Sequence, residues 1–336
     1  MTEISMAQVE AARRRIEGTA VTTPLVPSPF LSELAGGEFL LKLEMTQPSG
    51  AFKLRGAANA IFSLADEVVG VTCCSTGNHG RGVAYAAREK GLRAVICMSS
   101  LVPAPKVEGI KGLGAEVRIV GKSQDEALVE SRRLVKTERL VEISPFDDPL
   151  VIAGQGTIGL ELMAQRPDLA TILVPISGGG LAGGIAFAVK QLNPRVRVIG
   201  ISMDRGAAMY ESLRAGRPVE VEEVPSLADS LGGGIGLDNR ITFDLCRDYL
   251  DDIVLVSERE IYRAMQTVYY EDRIVCEGAC VVGIAALQSK KLPPLDGPTA
   301  TIITGRNLDM KIHADIMQGR DVVLGKLILK GHPYGE

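Results

Sequence analysis

The chain has 336 residues, 46% hydrophobic and 23% charged, with 37 Lys and Arg against 41 Asp and Glu for a formal net charge of −4. That composition excludes a disordered chain, a collagen-like one and a small disulfide scaffold, and the length suits about two domains. The absence of Trp, only 4% aromatic residues and the acidic balance argue against a nucleic-acid partner.

The opening segment MTEISMAQVEAARRR lacks the apolar run of a secretory signal. In chain order, strands are predicted at Glu38–Leu43, Val68–Cys74, Ala94–Met98, Ala115–Val120, Leu140–Ile143, Thr171–Val174, Val196–Ile201, Ile253–Val256 and Thr299–Ile303. Helical patterns lie between them at Gly82–Lys90, Gln124–Thr137, Thr157–Gln165, Ala182–Gln191 and Glu258–Tyr269. This alternation predicts an α/β protein with open, mostly parallel sheets flanked by helices. Four strands follow closely within Val68–Ile143, and Phe146–Pro149 reads as a return crossing. The expected division is a small domain, residues 68–145, inserted into a larger one made of residues 1–67 and 146–336. The uncharged stretch Leu169–Val189 contains Pro175 and five glycines. It therefore reads as strand, turn and helix start, with no membrane span. Six Cys without CxxC spacing and three unpaired His point to a reduced, cytoplasmic protein with no metal site.

Ligands of open parallel sheets sit off the carboxyl ends of strands, and three such loops carry chemistry. Ser177-Gly178-Gly179-Gly180-Leu181 joins a strand to a helix, where successive amides and the helix dipole make an anion cradle. Gly178, Gly180 and Gly183 also satisfy GxGxxG, with Asp204 about where a ribose-binding acid would lie. On this motif alone an NAD-dependent oxidoreductase stays open. Ser75-Thr76-Gly77-Asn78-His79-Gly80 offers hydroxyls, an amide and helix-start N–H groups, a carboxylate-sized anion site. The alternative there is a helix capped by Ser75 or Thr76 with His79 at the surface. Lys53, within Pro48–Ala57, sits beside Phe52 near a helix start. Desolvation there lowers its pKa and exposes a neutral amine that can condense with an aldehyde. Three further residues have double readings. Gln155 and Thr157 open a helix and either cap it or touch a substrate side chain. Glu277 either faces the ligand or caps a helix, capping being preferred.

Taken together and in order, SGAFKLRGAANAI, STGNHGRGVAYAA, IAGQGTIGLEL and VPISGGGLAGGIA resemble the fold type II pyridoxal-phosphate enzymes, within the threonine/serine dehydratase and serine racemase group. Ala228–Phe243 and Thr304–Met310 look like the hydroxyectoine-utilization dehydratase subgroup. The resemblance implies a tryptophan-synthase-β-like fold, pyridoxal 5'-phosphate as cofactor and a homodimer. It further implies an ammonia-lyase that turns a β-hydroxy amino acid into a 2-oxo acid and ammonia, with a racemase on the same cofactor as the alternative. Carried over residue by residue, Lys53 is the cofactor-bearing amine and Phe52 packs on the pyridine face. Ser177, Gly178, Gly179, Gly180 and Leu181 cradle the phosphate, Asn78 meets the ring's 3'-oxygen, and Thr304 faces the ring nitrogen. Ser75, Thr76, Asn78 and His79 hold the substrate carboxylate, and Thr76 stands where racemases carry an opposite-face base. Ala51 departs from the usual Ser. Ser202 and Met203 replace an acid of the metal-activated relatives, so no divalent cation is expected.

Overall fold

A computed structural model describes residues 4–75, 77–100, 102 and 104–336. Its strands in chain order are β1 Leu25–Pro27, β2 Phe39–Lys42, β3 Gly70–Cys74, β4 Arg93–Met98, β5 Glu116–Ile119, β6 Val141–Glu142, β7 Thr171–Pro175, β8 Arg197–Met203, β9 Asp252–Val256, β10 Thr299–Ile302, β11 Val322–Leu324 and β12 Leu327–Leu329. The helices are α1 Met6–Arg15, α2 Pro29–Ala35, α3 Lys53–Phe62, α4 Asn78–Lys90, α5 Ala104–Lys111, α6 Gln124–Glu138, α7 Pro149–Gln165, α8 Gly180–Leu192, α9 Ala208–Ala215, α10 Ile241–Tyr249, α11 Glu258–Asp272, α12 Val282–Gln288 and α13 Met310–Met317.

The strands form a six-stranded sheet, β1-β2-β10-β7-β8-β9, and a four-stranded sheet, β5-β4-β3-β6. Every pair is parallel except β1 against β2. All nine predicted strands are present with ends within two residues. Central strands β2, β7 and β10 are buried along their length, as expected where helices cover both faces of a parallel sheet. Three strands were missed. β1 is a proline-rich antiparallel edge too short to show a period. β11 and β12 form a separate antiparallel hairpin, so Val322–Leu329 folds on itself before it packs.

Two helix starts differ from the prediction. α7 begins at Pro149, eight residues before Thr157, because Asp148 is an N-cap whose Oδ1 accepts from Leu150 N at 2.8 Å and Val151 N at 3.0 Å. Proline at the first helical position needs no donor, so FDDP is a helix start as well as a crossing. Gln155 and Thr157 are therefore interior helix residues and cap nothing. α4 begins at Asn78 with Gly77 as N-cap and no capping side chain, which removes Ser75 from that role, while Thr76 lies outside the described residues.

α3 joins the two sheets. Leu54, Ala57, Ala58 and Ile61 pack into the core of the small sheet with Val71 and Ile96. Its other side carries Arg55, which is buried and bonds two carboxylates in a forked arrangement: Glu44 at 2.8 Å through Nε and Nη2, and Glu161 at 2.6 and 2.9 Å through Nη1 and Nη2. Lys42 Nζ adds a third ion pair to Glu161 at 2.6 Å. Two cations and two anions neutralise each other and tie β2, α3 and α7 together. Geometry this complete is what a buried ion cluster needs to offset desolvation. No helix among the described residues is long and apolar enough to cross a membrane.

Candidate active site

The turn before α3 is fixed by backbone pairing. Phe52 N donates to Thr304 O at 2.9 Å, Arg306 N donates to Gly50 O at 3.0 Å, and Ala51 forms a β-bridge with Gly305. This brings Lys53 beside the loop that follows β10. Lys53 is half-buried, and Nζ donates to Pro145 O at 2.6 Å. Among the described residues no carboxylate lies within ion-pair distance of it. Burial alone pulls its pKa from 10.5 down to about 8. Nζ also lies 5.3 Å from the Phe52 ring centroid.

Pro145 and Phe146 link this amine to the glycine turn. A Cβ added at Gly178 would run into the Phe146 ring, and one at Gly180 would lie about 3.0 Å from Phe146 Cα. Gly179 has φ +85°, where an L side chain is strained, and its Cβ would also meet Met209 Cε at 2.7 Å. Gly183 N closes the first turn of α8 on Gly179 O at 2.7 Å, leaving the N–H groups of Gly180, Leu181 and Ala182 free of helical partners. A backbone without side chains at the start of a buried helix fits a phosphate. Together with an uncompensated amine, it fits a phosphorylated aldehyde.

On the opposite wall, α4 leaves the first-turn N–H groups of Asn78, His79 and Gly80 without helical partners. Ser75 Oγ accepts from Gly77 N at 3.4 Å, and Thr76 lies outside the described residues. His79 is buried, contrary to the surface alternative. Its Nε2 is 2.9 Å from Ile143 O, which only accepts, so Nε2 carries the proton and Nδ1 is an unpartnered lone pair. Burial first, then the Lys53 charge, lowers the ring's pKa from 6.5 to about 3, so it is neutral. The His79 side chain thus has no free donor for a carboxylate, and its contribution there is its main-chain N–H.

Asn78 is held by a network that sequence reading missed. Its Nδ2 donates to Glu277 Oε2 at 2.9 Å, and its Oδ1 accepts from Asn307 Nδ2 at 2.7 Å. Glu277 also accepts from Asn307 N at 2.7 Å and Ser230 Oγ at 3.2 Å. Glu277 makes no capping bond, which overturns the capping preference; burial raises its pKa. Thr304 is buried with Oγ1 3.2 Å from Cys280 Sγ, and Cys280 donates to Gly305 O at 2.9 Å. The motif TGRNLDM had held Asn307 all along, but its partners come from segments about 30 and 230 residues away in the chain.

The family model for pyridoxal-phosphate dependent enzymes matches residues 16–305. The chain belongs to that family. Its cofactor is pyridoxal phosphate, and GxGxxG here is not a dinucleotide fingerprint. A Sinorhizobium fredii protein, named only provisionally a threonine dehydratase, is 53% identical over 95% of this chain and 97% of its own length. The L-threonine ammonia-lyase of Thermotoga maritima is 40% identical over 92% of this chain and 77% of its own. The solved structure of maize serine racemase superposes with TM-score 0.87 at 33% identity, covering 92% of this chain and 95% of that one. The chain is thus a pyridoxal-phosphate-dependent enzyme related to the dehydratases and ammonia-lyases.

Proposed function

We propose that the enzyme removes water and ammonia from a β-hydroxy amino acid, as its threonine ammonia-lyase relative is named for doing with threonine. The observation that carries this reading is the half-buried Lys53 amine, which has no counter-charge among the described residues and bonds Pro145 beside the glycine turn. When bound, pyridoxal phosphate supplies an electrophilic carbon for an amine and a sink for electrons released at the substrate's Cα. Ser177 through Leu181 hold the phosphate with main-chain N–H groups. Phe52 would pack against the ring and Thr304 would offer a neutral hydroxyl to its nitrogen. Asn78, fixed by Glu277 and Asn307, would hold the 3'-oxygen. Ser75, Thr76 and the first-turn N–H groups of α4 orient the substrate carboxylate. Lys53 Nζ, which burial makes easier to deprotonate by bringing its pKa to about 8, takes the Cα proton. Loss of the β-hydroxyl, tautomerisation and hydrolysis then give a 2-oxo acid and ammonia, with one water leaving and one returning.

Ala228–Phe243 and Thr304–Met310 support a finer reading, in which the substrate is a hydroxylated diaminobutyrate from hydroxyectoine breakdown. A panel of β-hydroxy amino acids (threonine, serine, hydroxyaspartate and that diaminobutyrate), scored for 2-oxo acid and ammonia together, tests both levels. Equimolar release from at least one is expected. Product from none would overturn the lyase reading, and product from threonine alone the finer one. The likeness to maize serine racemase favours a second reading. Enantiomer formation outpacing 2-oxo acid release would establish it.

A further inference from the structure

Gln155 is 1% exposed, and neither Oε1 nor Nε2 of its amide has a hydrogen-bond partner. A buried amide with nothing to bond is costly, and such groups are rare in folded proteins. Its surroundings suggest what it serves. A Cβ at Gly56 would strike Gln155 Nε2, and a Cβ at Gly184 would lie 3.4 Å from Gln155 Cβ. Gly56 stands one turn beyond Lys53 on α3, and Gly184 one turn beyond Gly180 on α8, so each shares a helix face with that residue. Gln155 is thus wedged between the helix that carries the amine and the helix that opens with the phosphate cradle.

The direction of the side chain follows from helix geometry. α7 and α8 run parallel: Gly184 meets Ile152 O, and Gly159 meets Ala188. Both therefore start at the same end, where Phe146 lies against Gly178 and Gly180. Side chains on a helix lean toward its N-terminus, so the Gln155 amide leans toward the cradle.

We propose that the Gln155 amide is a cofactor-binding group that donates from beneath the cradle, directly or through one buried water, to the cofactor's phosphate. This rests on the phosphate being seated on Ser177–Leu181. It assigns Gln155 to the cofactor, where the sequence offered helix capping or the substrate side chain. The buried amide burdens the cofactor-free protein and is matched when the phosphate arrives.

The test titrates cofactor-free enzyme with pyridoxal phosphate and with pyridoxal, which lacks the phosphate, following the absorbance of the bound ligand. Gln155→Met, and Gln155→Leu as a second variant, should weaken pyridoxal phosphate about ten- to a hundredfold, the scale of one hydrogen bond to a charged group. Pyridoxal affinity should change less than about threefold by the same reasoning, because it offers no phosphate to bond. The melting temperature of the cofactor-free variants should hold or rise. Unchanged affinity for pyridoxal phosphate with a raised melting temperature would overturn the proposal, since a trapped water would then be the amide's only partner. Equal weakening of both ligands would overturn it as a packing defect. A wild-type enzyme that binds the two ligands equally would instead refute the seating of the phosphate, and the proposal with it.

Discussion

Lys53 and Arg55 stand two residues apart in one helix, one half-buried and the other buried, both cationic in water, and the protein treats them in opposite ways. Arg55 meets Glu44 and Glu161 in forked pairs, and those carboxylates raise its pKa further. Lys53 meets a main-chain carbonyl and no acid, so burial brings its pKa down to about 8. Desolvation leaves a permanent structural charge where counter-ions are supplied and an amine that gives up its proton more readily where they are withheld. Partners rather than burial therefore separate scaffold from chemistry here.

The sharpest way to break this comparison is to remove each cation. Lys53→Ala should lower turnover of a confirmed substrate by on the order of a thousandfold or more, since the proposed roles in the covalent step and the Cα proton transfer both rest on one atom. Arg55→Met should instead destabilise the fold by about 3–5 kcal/mol in urea unfolding, because Glu44 would be left buried with a missing partner. An Arg55 variant of ordinary stability would remove the contrast.

Lys53→Met should act with the opposite sign on the cofactor-free protein. The unfolded lysine titrates near 10.5 and the folded one near 8, so the unfolded state binds more protons between those values. Wild-type stability accordingly rises with pH across that window, and below it the full penalty applies. At pH 7 the variant should be more stable by about 3 kcal/mol, with the advantage shrinking from pH 8 toward 10.5. An advantage independent of pH would show that packing, not charge, is responsible. The smallest effect is expected at the cradle. Gly179→Ala places a Cβ at φ +85° against Met209 and should cost about 1–3 kcal/mol, with weaker cofactor binding, by thermal shift and titration.

The sheets were legible because buried parallel strands read as short apolar runs between glycines, and the glycine turn and Lys53 because local sequence makes them. What was not legible depends on distant partners. Glu277 looks like a helix cap until Asn78, Ser230 and Asn307 are seen around it. Arg55 sits in the quoted lysine motif, yet Glu44 and Glu161, which give it meaning, lie just after β2 and on α7, apart from it in the chain. Gln155 reads as a helix start in sequence because the Asp148 cap seven residues earlier reads only as a crossing.

Borohydride reduction of the holoenzyme followed by peptide mapping tests the central claim most directly, that the Lys53 amine, bonded to Pro145 O beside the glycine turn, carries the cofactor. The expected result is a pyridoxyl label on the peptide containing Lys53 and on no other lysine. A label on Lys42, which is buried but bonded to Glu161, or on any surface lysine would contradict it.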